Sequence, residues 1–231
     1  MQKSYTYLST DVQQQLLAIK KFIYLKMNGV TVESMERGDV LYPKNFGVSL
    51  PEIKLMASKI MPNHALAQVS WHEQIRETML IASFIQPVES FDEVLAAEWL
   101  SDVHNVELAE QLSRNLLGRL PFAPHKVAEW CSSSDKWLCS VGFFTAAFCC
   151  DRLSYEIKVQ LQKEVMESTL LCEMPVYRAA ALFLRKMGGE GREEAIAILC
   201  SIAHFSESPA RAKKYIFEEV STDLKYRFDL K

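Results

Sequence analysis

The sequence predicts an all-α fold, and three observations lead to this class. Apolar residues recur at intervals of three and four along almost the whole chain of 231 residues, which is the spacing of one buried helix face. No segment alternates apolar and polar residues at period two, as a half-buried strand would. Most links between the periodic segments are short and contain helix breakers, as in LPFAPH, SSSD and GGEG.

The periodic segments and their breakers define the helices in order. The first is expected over about residues 9–27, because Asn28 and Gly29 are typical residues at a helix C-terminus. A polar loop, TVESMERGDVLYPKNFGVS, is expected to follow it. The remaining helices are expected at about 50–60, 63–71, 73–85, 91–103, 106–118, 122–131, 135–150, 154–171, 175–187, 191–204 and 208–222.

Short connections favour antiparallel packing of consecutive helices, and the resulting pairs recur about every 30 to 40 residues. This pattern is typical of an α-solenoid of HEAT-like antiparallel helix pairs, whose inner curve offers an extended concave surface. We expect a single domain over residues 1–231, with an N-terminal helix and loop at 1–49 and helical repeats at 50–231. A helical bundle is the alternative architecture.

Composition and charge limit the classes of function. Apolar residues make up 49% and charged residues 24% of the chain, as in ordinary globular proteins. The net charge of −3 gives no global attraction to nucleic acid or acidic membranes, so any polyanion site must be a local basic patch. No uncharged run approaches the roughly 20 residues needed to span a bilayer, and MQKSYTYLSTDVQQQ lacks the apolar segment of a secretory signal. We therefore expect a cytoplasmic protein without a membrane partner.

The cysteines give no sign of a metal site. The chain has six cysteines and five histidines, with no CxxC pair and no histidine at zinc-ligand spacing from a cysteine. Because most of the cysteines lie among apolar residues, we expect reduced, buried thiols, and we expect neither a metal nor a cofactor.

Two further groups of residues have both a structural and a functional interpretation. Trp71, Trp99, Trp130 and Trp137 lie near helix ends and are expected to pack in the core, with Trp137 the best candidate for an exposed position. In the segment SPARAKK at 208–214, Ser208 is expected to cap a helix. The basic residues of this segment could contact phosphates, although such a cluster is more often a solvated helix face.

The segment NVELAEQLSRNLL, residues 105–117, is an amphipathic helix with carboxylates on its polar side. Glu110 and Arg114 have the spacing of an i,i+4 ion pair, and Glu107 lies in the first turn, where the helix dipole favours a negative charge. These effects explain the charged residues without a catalytic role. No Ser/His/Asp or Cys/His arrangement can be inferred from spacing elsewhere.

Several phrases, in their order and spacing, resemble the DNA alkylation repair family, the HEAT-like repeat alkylpurine DNA glycosylases. The resemblance covers about Phe22 to Gly189, and its most specific parts are NFGVSLPEIK, the WxxxIRE phrase from Trp71 to Glu77, and LFLRKMG. The other matching phrases are WLSDVHNVELAEQL, KWLCSVGFFTAAF and VYRAAALFLRKMG.

The resemblance implies a solenoid that holds duplex DNA in its concave groove and hydrolyses the bond to N3- or N7-alkylated purines. In that family an aspartate stabilises the cationic sugar, tryptophans flank the damaged nucleotide, and an arginine contacts the backbone. An alkylated purine is already cationic and leaves readily, so electrostatic stabilisation can supply much of the catalysis.

This chain departs from the family pattern where the lesion would bind. The Trp-Asp-x-x-Asp phrase corresponds to residues 106–110, with Val106 in place of the tryptophan and Glu110 in place of the catalytic aspartate. The arginine of Trp-x-x-Arg becomes Ser140, and a later groove tryptophan becomes Leu182. The resemblance thus implies Glu110, and less directly Glu107, as catalytic candidates.

Two functions of different classes remain open. The first is a protein that binds duplex DNA in its groove, with weak or altered glycosylase activity at Glu110. The second is a catalytically inactive scaffold that binds a protein partner through the same groove. Converging Lys and Arg side chains would favour DNA, and a surface of Glu and apolar residues would favour a protein. The DNA-binding candidates are Arg114, Lys136, Trp137, Ser140, Arg178 and Arg185.

Overall fold

A computed structural model describes residues 10–230, and within this range it contains helices and no β-strand. Backbone pairing outside the helices is limited there to an isolated parallel bridge between Lys44 and Ile75. None of the described helices has the length and apolarity that crossing a membrane requires. The α-helices of these residues are α1 (Thr10–Lys26), α2 (Gly29–Arg37), α3 (Leu50–Ala57), α4 (His64–His72), α5 (Arg76–Ile85), α6 (Glu93–Leu100), α7 (Val106–Asn115), α8 (Ala123–Cys131), α9 (Lys136–Phe148), α10 (Tyr155–Glu167), α11 (Met174–Gly188), α12 (Arg192–Ile202) and α13 (Arg211–Phe228).

The all-α prediction is confirmed, but the predicted polar loop after the first helix is partly wrong. Residues 29–37 form α2, because the side chain of Asn28 accepts a hydrogen bond from the backbone N–H of Thr31 and so caps a new helix. Asn28 therefore starts a helix where the sequence indicated only a stop.

The last helix also differs from its prediction. The helix α13 begins at Arg211 and continues to Phe228, whereas the sequence predicted a start at Ser208. The Ser208 hydroxyl accepts a hydrogen bond from the N–H of Ala210, so it orders the turn before the helix and does not cap the helix. No side chain caps α13.

The chain divides into two compact units. The N-terminal unit ends at Trp99, and the C-terminal unit begins at Leu100. This division falls inside the segment predicted to hold all the repeats, and the expectation of a single repeat domain stays a prediction.

The N-terminal unit is built on packing of α4 and α5, with α3 against α5 and α1 against α4. Trp71 and Trp99 are both fully buried, and their rings stack with centroids 4.0 Å apart and an interplanar angle of 7°. The expected core role of these two tryptophans is thereby confirmed, as it is for Trp130, which is 6% exposed in the C-terminal unit.

A buried ion pair holds the loop before α3 in the N-terminal unit. The Glu77 carboxylate accepts hydrogen bonds from the backbone N–H groups of Phe46 and Val48, at 3.2 and 3.1 Å. The Arg76 guanidinium lies 3.1 Å from the same carboxylate and donates to the carbonyl of Val48 at 2.8 Å. The loop bends at Gly47, where φ is +71° and an added Cβ would lie 2.1 Å from a backbone oxygen. The phrases NFGVS and IRE are therefore joined by structural contacts.

The C-terminal unit is arranged in layers of helices. The helices α7, α9, α11 and α13 pack side by side in this order. The start of α9 contacts the start of α11 through Lys136 and Glu173. The end of α7 contacts the end of α9 through Arg114 and Phe148. The start of α11 also contacts the start of α13, through Tyr177 and Tyr215. These four helices therefore run parallel, and we call them the parallel layer. The helix α8 forms a tight hairpin with α9, in which the Cys139 thiol donates to the carbonyl of Cys131 at 3.1 Å. This arrangement is that of HEAT-like helix pairs.

Candidate nucleic-acid interface

The residues predicted to form the functional site all lie on helices of the parallel layer. The structure thus places, on neighbouring helices of the C-terminal unit, side chains that are up to about eighty positions apart in the sequence. Lys136 and Arg178 lie near the starts of their helices, and Arg114 and Arg185 lie near the ends. Glu107, Glu110 and Arg114 are on α7, Lys136, Trp137 and Ser140 are on α9, and Arg178, Leu182 and Arg185 are on α11.

Glu110 is engaged in an ion pair. Its Oε1 accepts a hydrogen bond from Nη2 of Arg114 at 2.7 Å, which confirms the predicted i,i+4 pair, and its side chain is 30% exposed. The Arg114 guanidinium also lies over the Phe148 ring, 4.5 Å from the centroid. A positive charge therefore already occupies the immediate neighbourhood of the carboxylate, where a cationic sugar would need to be stabilised.

The first turn of α7 contains no group that could stack on a damaged base. The buried side chain of Asn105 caps the helix by accepting from the N–H of Leu108 at 2.9 Å. Val106, in place of the tryptophan, is 8% exposed, and Glu107 is half-buried beside it. The turn is thus organised by capping and core packing.

The positions on α9 and α11 that correspond to lesion contacts also differ in exposure. Ser140 is fully buried, and its hydroxyl donates to the carbonyl of Trp137 at 2.8 Å, so it presents no surface to a DNA backbone. Trp137 is half-buried, and Nζ of Lys136 lies 5.4 Å from its ring centroid. Leu182 is half-buried on α11.

Three of the four predicted DNA-binding cations are paired with carboxylates. Lys136 lies 2.9 Å from a carboxylate oxygen of Glu173, and Arg185 lies 2.9 Å from Asp223 and 3.6 Å from Glu219. Sequence reasoning missed these acidic partners, because they lie 34 to 38 positions away and no local spacing connects them.

Arg178 differs from the other three predicted DNA-binding cations. It is exposed, and its guanidinium approaches the Met174 sulfur at 4.0 Å. Burial raises the pKa of the nearby Tyr215 hydroxyl, and the charge of Arg178 partly offsets this rise. Within the described residues no ion pair joins Arg178 to a carboxylate. Arg178 is therefore the predicted DNA-binding residue whose charge is most available to a phosphate.

The cysteines of this unit are divided between core and surface. Cys131, Cys139, Cys149 and Cys150 are buried and free, as predicted, whereas Cys172 and Cys200 are exposed. Burial raises the pKa of the Cys139 thiol to about 12 and that of Cys149 to about 11, so both stay protonated at neutral pH. No cluster of His, Cys, Asp and Glu among residues 10–230 could hold a metal ion.

Comparison with known proteins relates this arrangement to a family and a solved fold. The sequence pattern of the family described as "DNA alkylation repair enzyme" matches residues 42–199, which is more than half of the chain. One similar solved structure is described as "A new family of proteins related to the HEAT-like repeat DNA glycosylases with affinity for branched DNA structures". It is 14% identical, covers 90% of this chain and 94% of its own, and superposes with a TM-score of 0.75, which confirms the HEAT-like helical fold. No curated protein matches the sequence. The match over residues 42–199 shows that the chain belongs to the DNA alkylation repair enzyme family.

Proposed function

We propose that this protein binds DNA through the exposed side of the parallel layer and has little or no activity as an alkylpurine glycosylase. The observation that carries the proposal is a series of cations on successive helices of this layer. Arg114 comes from α7, Lys136 from α9, and Arg178 and Arg185 from α11. Neighbouring helices thus supply positive charges along one layer, as contacts to successive phosphates require.

The carboxylates paired with these cations weaken, but do not prevent, such contacts. Exposed ion pairs contribute about 0–1 kcal/mol, so a phosphate can displace a carboxylate from Arg114 or Lys136 at small cost. The same pairing lowers the affinity for a uniform duplex, since each phosphate contact must first release an internal partner. We therefore expect features other than the regular backbone to contribute, and we propose a preference for branched over linear DNA. The similar solved structure is described as one "with affinity for branched DNA structures".

The proposal of little or no glycosylase activity rests on the surroundings of Glu110. Its carboxylate lies 2.7 Å from a guanidinium group, and Val106 and Ser140 supply neither a stacking ring nor a backbone contact. A catalytic carboxylate must be placed to within about 0.5 Å, and Glu110 is one methylene longer than the aspartate of the family phrase. Weak or altered base release at Glu110 is the narrower alternative.

A protein-binding scaffold is the second candidate function. The observation in its favour is that Lys136 and Arg185 are already paired with Glu173, Glu219 and Asp223, which gives the surface a mixed charge. A mixed surface with half-buried apolar side chains is also typical of protein interfaces. Either function is compatible with the predicted cytoplasmic location.

The test is a titration of the protein with a linear duplex and with a three-way junction of equal length at several salt concentrations. DNA binding through phosphates predicts that log K falls with log salt with a slope of about −0.9 per phosphate contact, and that the junction binds more tightly. If the protein binds neither the linear duplex nor the three-way junction at low salt, the scaffold function is the better explanation. Release of 3-methyladenine or 7-methylguanine from alkylated DNA, measured in parallel, tests the claim about catalysis.

A further inference from the structure

A cleft of about 640 Å³ opens in the C-terminal unit. None of the predicted site residues lines it, although Arg178 contacts the sulfur of Met174, which does. It lies where the end of α10 and the 3-10 turn Thr169–Cys172 meet the starts of α11 and α13. Its volume is within the roughly 300–1,000 Å³ that is usual for small-ligand sites.

The inner walls of the cleft are suited to a flat, apolar group. Met166, Leu171, Met174 and Tyr177 line it. The Tyr177 ring is only 7% exposed and packs against Tyr215, with centroids 4.9 Å apart, so its position is fixed. Thioethers and aromatic rings make favourable contacts with π-systems, and a nucleobase has such a system on both faces.

The α13 side of the cleft is positively charged. Arg211 and Lys213 line it, with Arg211 exposed and Nζ of Lys213 5.2 Å from the Phe205 ring centroid. The acidic residue among the lining residues is Glu167, which is 65% exposed and lies 3.8 Å from Lys163. The cleft thus combines an apolar wall with a cationic rim that complements a phosphate.

We propose that this cleft binds a single unpaired nucleotide, with its base against Met174 and Tyr177 and its phosphate at Arg211 and Lys213. The inference rests on the proposed function, because a branch point supplies unpaired nucleotides next to duplex DNA. A base inside a regular duplex can enter such a cleft only after unstacking, which costs a few kcal/mol, whereas a base at a branch or flap is free to enter. The cleft therefore gives a physical reason for a preference for branched DNA.

The direct test uses a 5′-phosphorylated thymidine trinucleotide and the two exposed thiols. Cys172 lines the cleft, and Cys200 on α12 does not, so Cys200 is an internal control. The trinucleotide should slow alkylation of Cys172 by iodoacetamide severalfold and leave the rate at Cys200 unchanged. Equal protection of Cys172 by inorganic phosphate at the same concentration would overturn the assignment of a base to the apolar wall.

Matched variants test the cationic rim. Arg211→Gln with Lys213→Gln should weaken trinucleotide binding at least about tenfold, because two charge-assisted contacts to the phosphate are lost. The control is Lys214→Gln with Lys225→Gln, which removes the same charge from exposed positions on α13 outside the cleft lining and should change binding less than about twofold. Equal losses in both double variants would contradict a defined phosphate position.

The outcomes separate this inference from the proposed function. If the wild type binds linear and branched DNA but the trinucleotide neither binds nor protects Cys172, the cleft assignment is wrong and the DNA-binding proposal stands. If the trinucleotide binds in the cleft while duplex and junction DNA do not bind, the cleft assignment stands and the proposal for the parallel layer fails.

Discussion

Two ion pairs between an arginine and a glutamate, one in each unit, differ in burial and in what they hold in place. In the N-terminal unit Arg76 and Glu77 have side chains that are 3% and 0% exposed. In the C-terminal unit Arg114 and Glu110 are 44% and 30% exposed. The buried pair fixes a loop through backbone hydrogen bonds, whereas the exposed pair joins two side chains of one helix and leaves both accessible to a ligand.

The difference follows from solvation. Removing one partner of a buried ion pair leaves a charge in a place that water cannot reach. We therefore expect substitutions of Arg76 or Glu77 to lower the free energy of unfolding strongly. An exposed i,i+4 pair contributes only about 0.3–0.5 kcal/mol, so it can open when a phosphate or another charge approaches. The family phrase around Trp71 to Glu77 thus reflects the architecture of the N-terminal unit. The positions around Glu110, where this chain departs from the family phrase, belong to the ligand surface that we propose.

The largest expected effect is at Glu77. Glu77→Gln keeps the shape of the side chain but removes the buried carboxylate that lies 3.1 Å from the Arg76 guanidinium and weakens the bonds to Phe46 and Val48. The free energy of unfolding, measured by urea denaturation, should fall by about 3–5 kcal/mol.

Glu73→Gln is the matched control for this prediction. Glu73 lies 2.7 Å from Lys20 in the same unit, but the two side chains are 29% and 30% exposed. The variant should lose at most about 1 kcal/mol. Similar losses for the two variants would show that burial does not distinguish the pairs.

A smaller loss of stability is expected at Gly142, which tests what holds the C-terminal unit together. An added Cβ would lie 2.6 Å from the backbone nitrogen of Cys131 and 2.8 Å from the carbonyl carbon of Trp130. Gly142→Ala should therefore push α8 and α9 apart and cost about 1–3 kcal/mol in urea unfolding. A neutral or stabilising alanine would mean that the hairpin is not closely packed at this point.

Much of the fold could be predicted from the sequence because helical spacing and breakers are local signals. The sequence correctly ends the first helix near Asn28 but misses the start of α2, because an asparagine is common at both ends of a helix and only the hydrogen bond from Thr31 identifies it as an N-cap. The i,i+4 pair at Glu110 was predictable for the same local reason.

The surroundings of the candidate site could not be predicted in the same way. Lys136 meets Glu173 only because α9 and α11 lie side by side, and Arg185 meets Asp223 only because α11 and α13 do. The cleft at the start of α13 also depends on the packing of residues 166–177 against residues 210–213, two stretches that no local spacing connects. Contacts between helices depend on how the helices pack. A single sequence therefore identifies the charged residues but does not show which residues pair across two helices.

The smallest expected effect on stability is at Glu110. Glu110→Gln removes the ion pair with Arg114 and should change the free energy of unfolding by only a few tenths of a kcal/mol. Release of alkylated purines should be negligible in both the wild type and the variant. Base release by the wild type that disappears in Glu110→Gln would make Glu110 a catalytic residue and overturn the account of its ion pair.

The most direct test of DNA binding by the parallel layer is charge reversal at Arg178, measured as the dissociation constant for a three-way junction at low salt. Lys54→Glu on α3 makes the same change in net charge at an exposed position of the other unit. We predict that Arg178→Glu weakens binding at least about tenfold, and that Lys54→Glu weakens it less than about twofold, because a direct phosphate contact is lost only in the first. Equal weakening by both variants, or no effect of Arg178→Glu, would contradict the assignment of DNA binding to this layer.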